Sequence, residues 1–102
     1  MRFMKERTIY QSKKVRTYIN ECHAKGRKTR IFAIRRDDEK GCGRFLGIIA
    51  WDGAWRQYVS CFEPDTKWSA GCKEEIAKFE REMTKKQREK WRKKRTTKLR
   101  KR

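Results

Sequence analysis

The chain has a single histidine, His23, a single proline, Pro64, and only 13 acidic residues against 31 lysines and arginines. Around that histidine the sequence offers no defensible Ser/His/Asp or Cys/His pattern for nucleophilic catalysis. The six glycines are scattered and form neither a Gly/Ser linker nor a phosphate-cradling loop. No internal repeat is present. The opening MRFMKERTIYQ holds no apolar run long enough for a signal peptide, and no later segment approaches a membrane span. None of the four cysteines, Cys22, Cys42, Cys61 and Cys72, is spaced as CxxC. Together with His23 they make a Cys3His set by arithmetic alone. The expectation is reduced thiols in or near a core, with no metal and no cofactor. Asp37, Asp38, Glu39, Asp52, Glu63 and Asp65 show no spacing that demands convergence on a metal ion, as a metal nuclease needs. The chain is expected not to be an enzyme.

What is present is charge. The formal net charge is +18 over 102 residues, enough for one small domain. Such a balance speaks about partners rather than fold. The basic residues do not lie opposite one clean apolar face, so a membrane ranks below nucleic acid. An aromatic content of 12% argues against a wholly disordered polyelectrolyte. The charge is also uneven. Residues 84–102 carry 12 basic residues and one acidic, whereas the remaining 83 carry 19 and 12. We therefore expect a small α+β domain over 1–83 and a basic arm over 84–102.

Within the body, Val15, Tyr18, Ile19 and Cys22 recur at i, i+3, i+4 and i+7 behind Ser12 and ahead of Gly26. This pattern predicts a capped helix. RIFAIRR (30–36), RFLGIIAW and WRQYVSCF read as strands, the last two joined at Asp52-Gly53 by a two-residue hairpin turn. Pro64 ends the third strand. Ser69 then begins a second helix whose Cys72, Ile76, Phe79 and Met83 form a core stripe, with helix-favouring residues running on to Lys94. The expected order is α-β-β-β-α: a three-stranded antiparallel meander, helices packed mainly on one face, and a basic helical C-terminal extension.

A two-residue turn would pair Trp51 with Ala54 and Ala50 with Trp55. Strand alternation then puts Leu46, Ile48, Ala50, Trp55, Val59 and Cys61 on one face, expected to lie under the helices. Phe45, Ile49, Trp51, Arg56, Tyr58 and Phe62 fall on the other. That second face is either a further hydrophobic layer or an exposed platform that stacks bases. Trp55 is expected in the core, and Trp51, Arg56 and Tyr58 are candidates for partner contact.

In the arm, Lys85, Lys86, Arg88, Lys90, Arg92, Lys93, Lys94, Arg95, Lys98, Arg100, Lys101 and Arg102 repel one another unless an anion relieves them, and phosphate is the natural anion. Trp91, off the core stripe by the helical count and set among arginines, suits stacking on a base.

Residues 47–79, GIIAWDGAWRQYVSCFEPDTKWSAGCKEEIAKF, resemble a group of short phage and prophage proteins of unassigned function. The shared pattern is an Ile-x-Trp strand, a tight turn, Trp-Arg-Gln-Tyr, a Phe-Pro-type strand end and a Cys-x-x-Glu-Ile helix. It falls here on Trp51, Trp55, Arg56, Gln57, Tyr58, Phe62, Pro64, Thr66, Trp68, Cys72, Glu75 and Ile76. Val59-Ser60-Cys61 and the basic tail depart from it. The resemblance implies a phage accessory protein in the bacterial cytoplasm, of a kind that includes anti-CRISPR-like inhibitors of RNA-guided nucleases. The expected function is thus non-enzymatic binding of nucleic acid, RNA or DNA, alone or within a ribonucleoprotein. The alternatives are an adaptor that meets an acidic protein surface through Trp51, Arg56 and Tyr58, and a ribosome- or RNA-associated basic protein.

Overall fold

Five strands follow one another in sequence and in space, and one long helix lies across them. The structure, a computed structural model, describes residues 6–22, 26 and 28–100, with side chains through residue 94. The strands are β1 (Glu6–Gln11), β2 (Arg16–Cys22), β3 (Ile31–Asp38), β4 (Gly41–Asp52) and β5 (Gln57–Phe62), and the helix is α1 (Ala70–Arg100). The sheet order is β1-β2-β3-β4-β5, with every neighbour antiparallel. The class is α+β, as expected.

The N-terminal helix expected behind Ser12 is instead a hairpin. Ser12 N–H donates to the Val15 carbonyl at 2.8 Å to close the β1–β2 turn, and β2 then runs antiparallel to β3 from Arg16↔Asp37 to Cys22↔Ile31. Thr17, Tyr18 and Ile19 are all buried. Consecutive burial means that β2 is covered on both faces, and its β-branched and aromatic residues suit a pleated surface better than a helix. The meander consequently has five strands rather than three, and α1 is the only helix among the described residues.

The β4–β5 turn falls where Asp52-Gly53 placed it but is longer than two residues. Asp52 pairs with Gln57, Trp51 with Tyr58 and Ala50 with Val59. Residues 53–56 form the loop. Asp52 Oδ1 accepts the N–H groups of Ala54 (2.9 Å) and Trp55 (3.0 Å), and the Asp52 carbonyl accepts that of Arg56 (2.8 Å). This Asx-type wrap supplies the bonds that a two-residue turn would have needed from strand pairing. Arg56 takes the left-handed step, with φ 56°.

The register moves by four residues, an even number, so Trp51 and Tyr58 stay on one face and Ala50 and Val59 on the other. The covered face is the opposite of the one expected. Helix α1 lies on the side of Phe32, Ile34, Ile49 and Tyr58, not on that of Ile48, Ala50 and Val59. The large rings bury more area than the small aliphatics, which settles the choice. Leu46 reaches the core through an irregularity in which Ile34 faces Gly47 and Arg35 faces Phe45.

Ser69 caps α1 as expected: its Oγ accepts Cys72 N–H at 3.1 Å. Cys72, Ile76, Phe79 and Met83 are buried against the sheet. The stripe does not stop there. Gln87 is also buried, and Trp91 is half-buried. Steps of four residues turn the contact line by about 40° each, and a helix crossing a twisted sheet can follow that drift. The helix passes residues 83 and 84 without interruption.

Candidate functional site

Where α1 crosses the outer edge of β5, the two elements leave an open groove of about 1100 Å³. Its floor begins at Tyr58, whose backbone N–H, facing away from β4, donates to Thr84 Oγ1 at 2.9 Å. About one helical turn earlier, at the lower end, Ser60 Oγ donates to the Glu80 carboxylate. At the upper end Arg88 donates from Nε (3.2 Å) and Nη2 to the Arg56 carbonyl, which fastens the helix to the hairpin loop.

One wall is a helical stripe. Arg81, Lys85, Arg88 and Arg92 succeed one another at spacings of four, three and four, so they share a face over about 16 Å of helix. The other wall is the loop, which contributes Arg56 and Trp55. Trp55 is 68% exposed, the most exposed large hydrophobic side chain among the described residues. Five cationic side chains thus line the groove against two carboxylates, Glu80 and Glu89. Glu80 is held by Ser60. Such a surface favours an extended polyanion with something flat for the indole to meet.

The expected contact residues are sorted by this geometry. Lys85, Arg88, Trp91 and Arg92 border the groove. Lys86 turns away to Glu82 at 3.4 Å. Lys90, Lys93 and Lys94 are exposed elsewhere on the helix. The side chains of Arg95, Lys98 and Arg100, and the whole of Lys101 and Arg102, lie outside the described residues.

Trp91 does not stand apart from the core. Its ring meets Trp51 edge to face at 5.1 Å, and Trp51 meets Tyr58 at 5.5 Å. The Tyr58 hydroxyl accepts Arg30 N–H at 2.9 Å and the residue is 2% exposed. Trp51, Arg56 and Tyr58 therefore do not form one exposed surface: only Arg56 is open. Trp55, expected inside, is outside: the face it was assigned to is not the one α1 covers, and the longer loop takes it off the strand. The residues that sequence reasoning missed are Trp55 and Arg81. For Arg81 a signal was present, since it lies four residues before Lys85 and seven before Arg88.

The turn acids are engaged in the fold. Asp37 Oδ1 accepts Gly43 N–H (2.7 Å) and the Tyr18 hydroxyl (3.3 Å), and Asp38 pairs with Arg44 at 2.6 Å. Cys72 is buried, Cys22 half-buried, and Cys42 and Cys61 exposed, all as free thiols. Among the described residues no group of three or more His, Cys, Asp or Glu could hold a metal ion, and His23 lies outside them. No helix among the described residues is long and apolar enough to cross a membrane. The chain matches no protein-family model, no curated protein and no solved structure.

Proposed function

We propose that this protein is a non-enzymatic nucleic-acid-binding protein that grips the phosphate backbone with helix α1. The observation that carries the reading is the stripe Arg81, Lys85, Arg88, Arg92, set opposite Arg56 across an open groove. Like charges stacked at helical spacing cost stability in the free protein, and a polyanion relieves that cost while releasing its own counterions. The sequence of residues 84–102, with 12 basic residues and one acidic, adds further positive charge for such a polyanion. Binding of this kind is strong, tolerant of sequence and sensitive to salt.

Fluorescence anisotropy of labelled RNA and DNA, titrated with the full chain across a salt series, tests the reading. The expected result is a steep linear fall of log affinity with log salt, about one unit of slope for each phosphate neutralised. Negligible binding at physiological salt overturns it. Incubation of the same oligonucleotides with the protein and divalent metal should leave them intact.

The biological setting we propose is that of a phage or mobile-element accessory protein in the bacterial cytoplasm, acting against a nucleic-acid-guided nuclease of its host. The resemblance of residues 47–79 supports it. A protein of charge +18 cannot mimic DNA there, so it would engage the guide or target strand. If cleavage by RNA-guided nucleases proceeds at the same rate with the protein present, this part of the proposal falls and the binding activity stands by itself.

A further inference from the structure

We infer that the groove beside β5 seats a single strand of nucleic acid, with one unpaired base stacked on Trp55 and the sugar–phosphate chain along Arg81, Lys85, Arg88 and Arg92. This rests on the nucleic-acid reading above and adds to it a strandedness and a base contact.

Three observations converge. Trp55 is 68% exposed in a protein whose other three tryptophans are all at least partly buried. Its presentation is built rather than incidental. Asp52 ties down the Ala54, Trp55 and Arg56 amides, and Arg88 grips the Arg56 carbonyl from the helix. The loop therefore has a fixed position relative to the cationic wall. Finally, the indole stands at the mouth of a groove whose far side is that wall.

The chemistry follows. A backbone lying along the helix stripe neutralises its cations, and a base turned toward the loop covers the indole. Stacking needs a free π-face, which a base inside a duplex gives to its neighbours instead. A groove of about 1100 Å³ is close to the size of pockets that hold drug-sized ligands, ~300–1,000 Å³, so it accommodates a short stretch of unpaired strand. A peptide of acidic residues alone would satisfy the arginines and lysines but leave Trp55 bare.

The test compares wild-type, Trp55→Ala and Trp55→Phe full chains by anisotropy. The probes are single-stranded RNA, single-stranded DNA, the matching duplex, an abasic strand of the same length, and a poly-glutamate peptide. A length of about ten nucleotides suits one small module. Trp55→Ala is expected to weaken both single strands about tenfold, to leave the duplex unchanged, and to leave the abasic strand unchanged. Trp55→Phe should recover most of the loss. RNA against DNA decides whether the ribose hydroxyl matters. Equal losses on single strand and duplex, or no loss at all, overturn the stacking. So does binding of poly-glutamate as tight as that of the single strands. Thermal melts of the variants should coincide with wild type, since the replaced ring is outside the core. Salt-sensitive binding that ignores Trp55 sinks this inference alone, whereas absence of any oligonucleotide binding sinks it together with the reading beneath it.

Discussion

The rings of Trp51 on β4 and Trp91 on α1 meet at 87°, with centroids 5.1 Å apart. They end a chain of edge-to-face contacts that runs Phe79–Phe32 (4.9 Å), Phe32–Tyr58 (6.2 Å), Tyr58–Trp51 (5.5 Å) and then Trp91. The chain leads from the core to the second half of the helix and sets the helix's position over the groove. Trp91→Ala should destabilise the protein by about 2 kcal/mol, less than a fully buried ring would. In a urea-denaturation cycle with Trp51→Ala, the coupling should be about 1 kcal/mol. Strictly additive single variants would show that the two rings do not meet in solution.

The β4–β5 hairpin makes opposite demands on two glycines, Gly47 within β4 and Gly53 in the loop. A Cβ at Gly47 would collide with the backbone carbonyl of Cys61, while one at Gly53 meets nothing within 4 Å. Gly47→Ala should cost roughly 2 kcal/mol or more, because backbone must move. Gly53→Ala should be neutral to slightly stabilising, through the unfolded state. A two-residue type I′ turn requires the reverse at Gly53, so the melting temperature of that variant separates the two turns. Arg56→Gly, at φ 56°, should gain roughly 0.5–1 kcal/mol from relief of the left-handed conformation.

Arg7 of β1 holds Glu82 of α1 through two hydrogen bonds of 3.0 Å. The Arg7 bond, stronger than the opposing effect of burial, holds the Glu82 carboxyl below its ordinary value of 4.5, with Lys86 adding to it. A lowered folded-state value means stability that is present above about pH 4.5 and fades as pH falls through the folded value. Glu82 is partly exposed, so screening limits the contribution to under about 1 kcal/mol. Glu82→Gln should therefore be less stable than wild type at neutral pH and indistinguishable from it well below pH 4. A gap that persists in acid would show that the ion pair is not its source.

Lys85 faces the groove, whereas Lys78 lies on another part of the helix, 3.1 Å from Glu75. Replacing Lys85 by Gln should lower the slope of log affinity against log salt by about one and weaken all sequences alike. Lys78→Gln should leave that slope where it is. Equal effects would mean that the binding charge is diffuse and not organised by the groove.

Much of this architecture was legible from residue patterns. The strands after Arg30, the turn at Asp52, the Ser69 cap and the stripe Cys72, Ile76, Phe79, Met83 all lie where propensity and periodicity put them. Three features were not legible, each for a local reason. In β2 and the turn before it, Val15, Tyr18, Ile19 and Cys22 match one helical face by coincidence, since a short strand buried on both sides carries no alternation to set against it. At the hairpin, the dipeptide Asp-Gly signals a turn without stating its length. The Asp52 side chain, by capturing two amides, lengthened the loop and put Trp55 in it rather than on a strand. On the helix, counting at 100° per residue from Met83 put Trp91 outside the stripe, because the count assumes a flat partner and the sheet is twisted. The groove itself depends on the angle at which α1 returns past β5 after the connection of residues 63–69, and a linear pattern does not encode that angle.

The strand order has a consequence for how the molecule is born. Each of β2 to β5 pairs with the strand synthesised just before it, so during translation the sheet can zip up one hairpin at a time, each step needing only a short loop to close. The helix that covers Phe32, Ile49 and Tyr58 comes last. Until it arrives, the nascent chain carries a finished sheet with its aromatic side bare, so the last segment to be made is the one that closes the core.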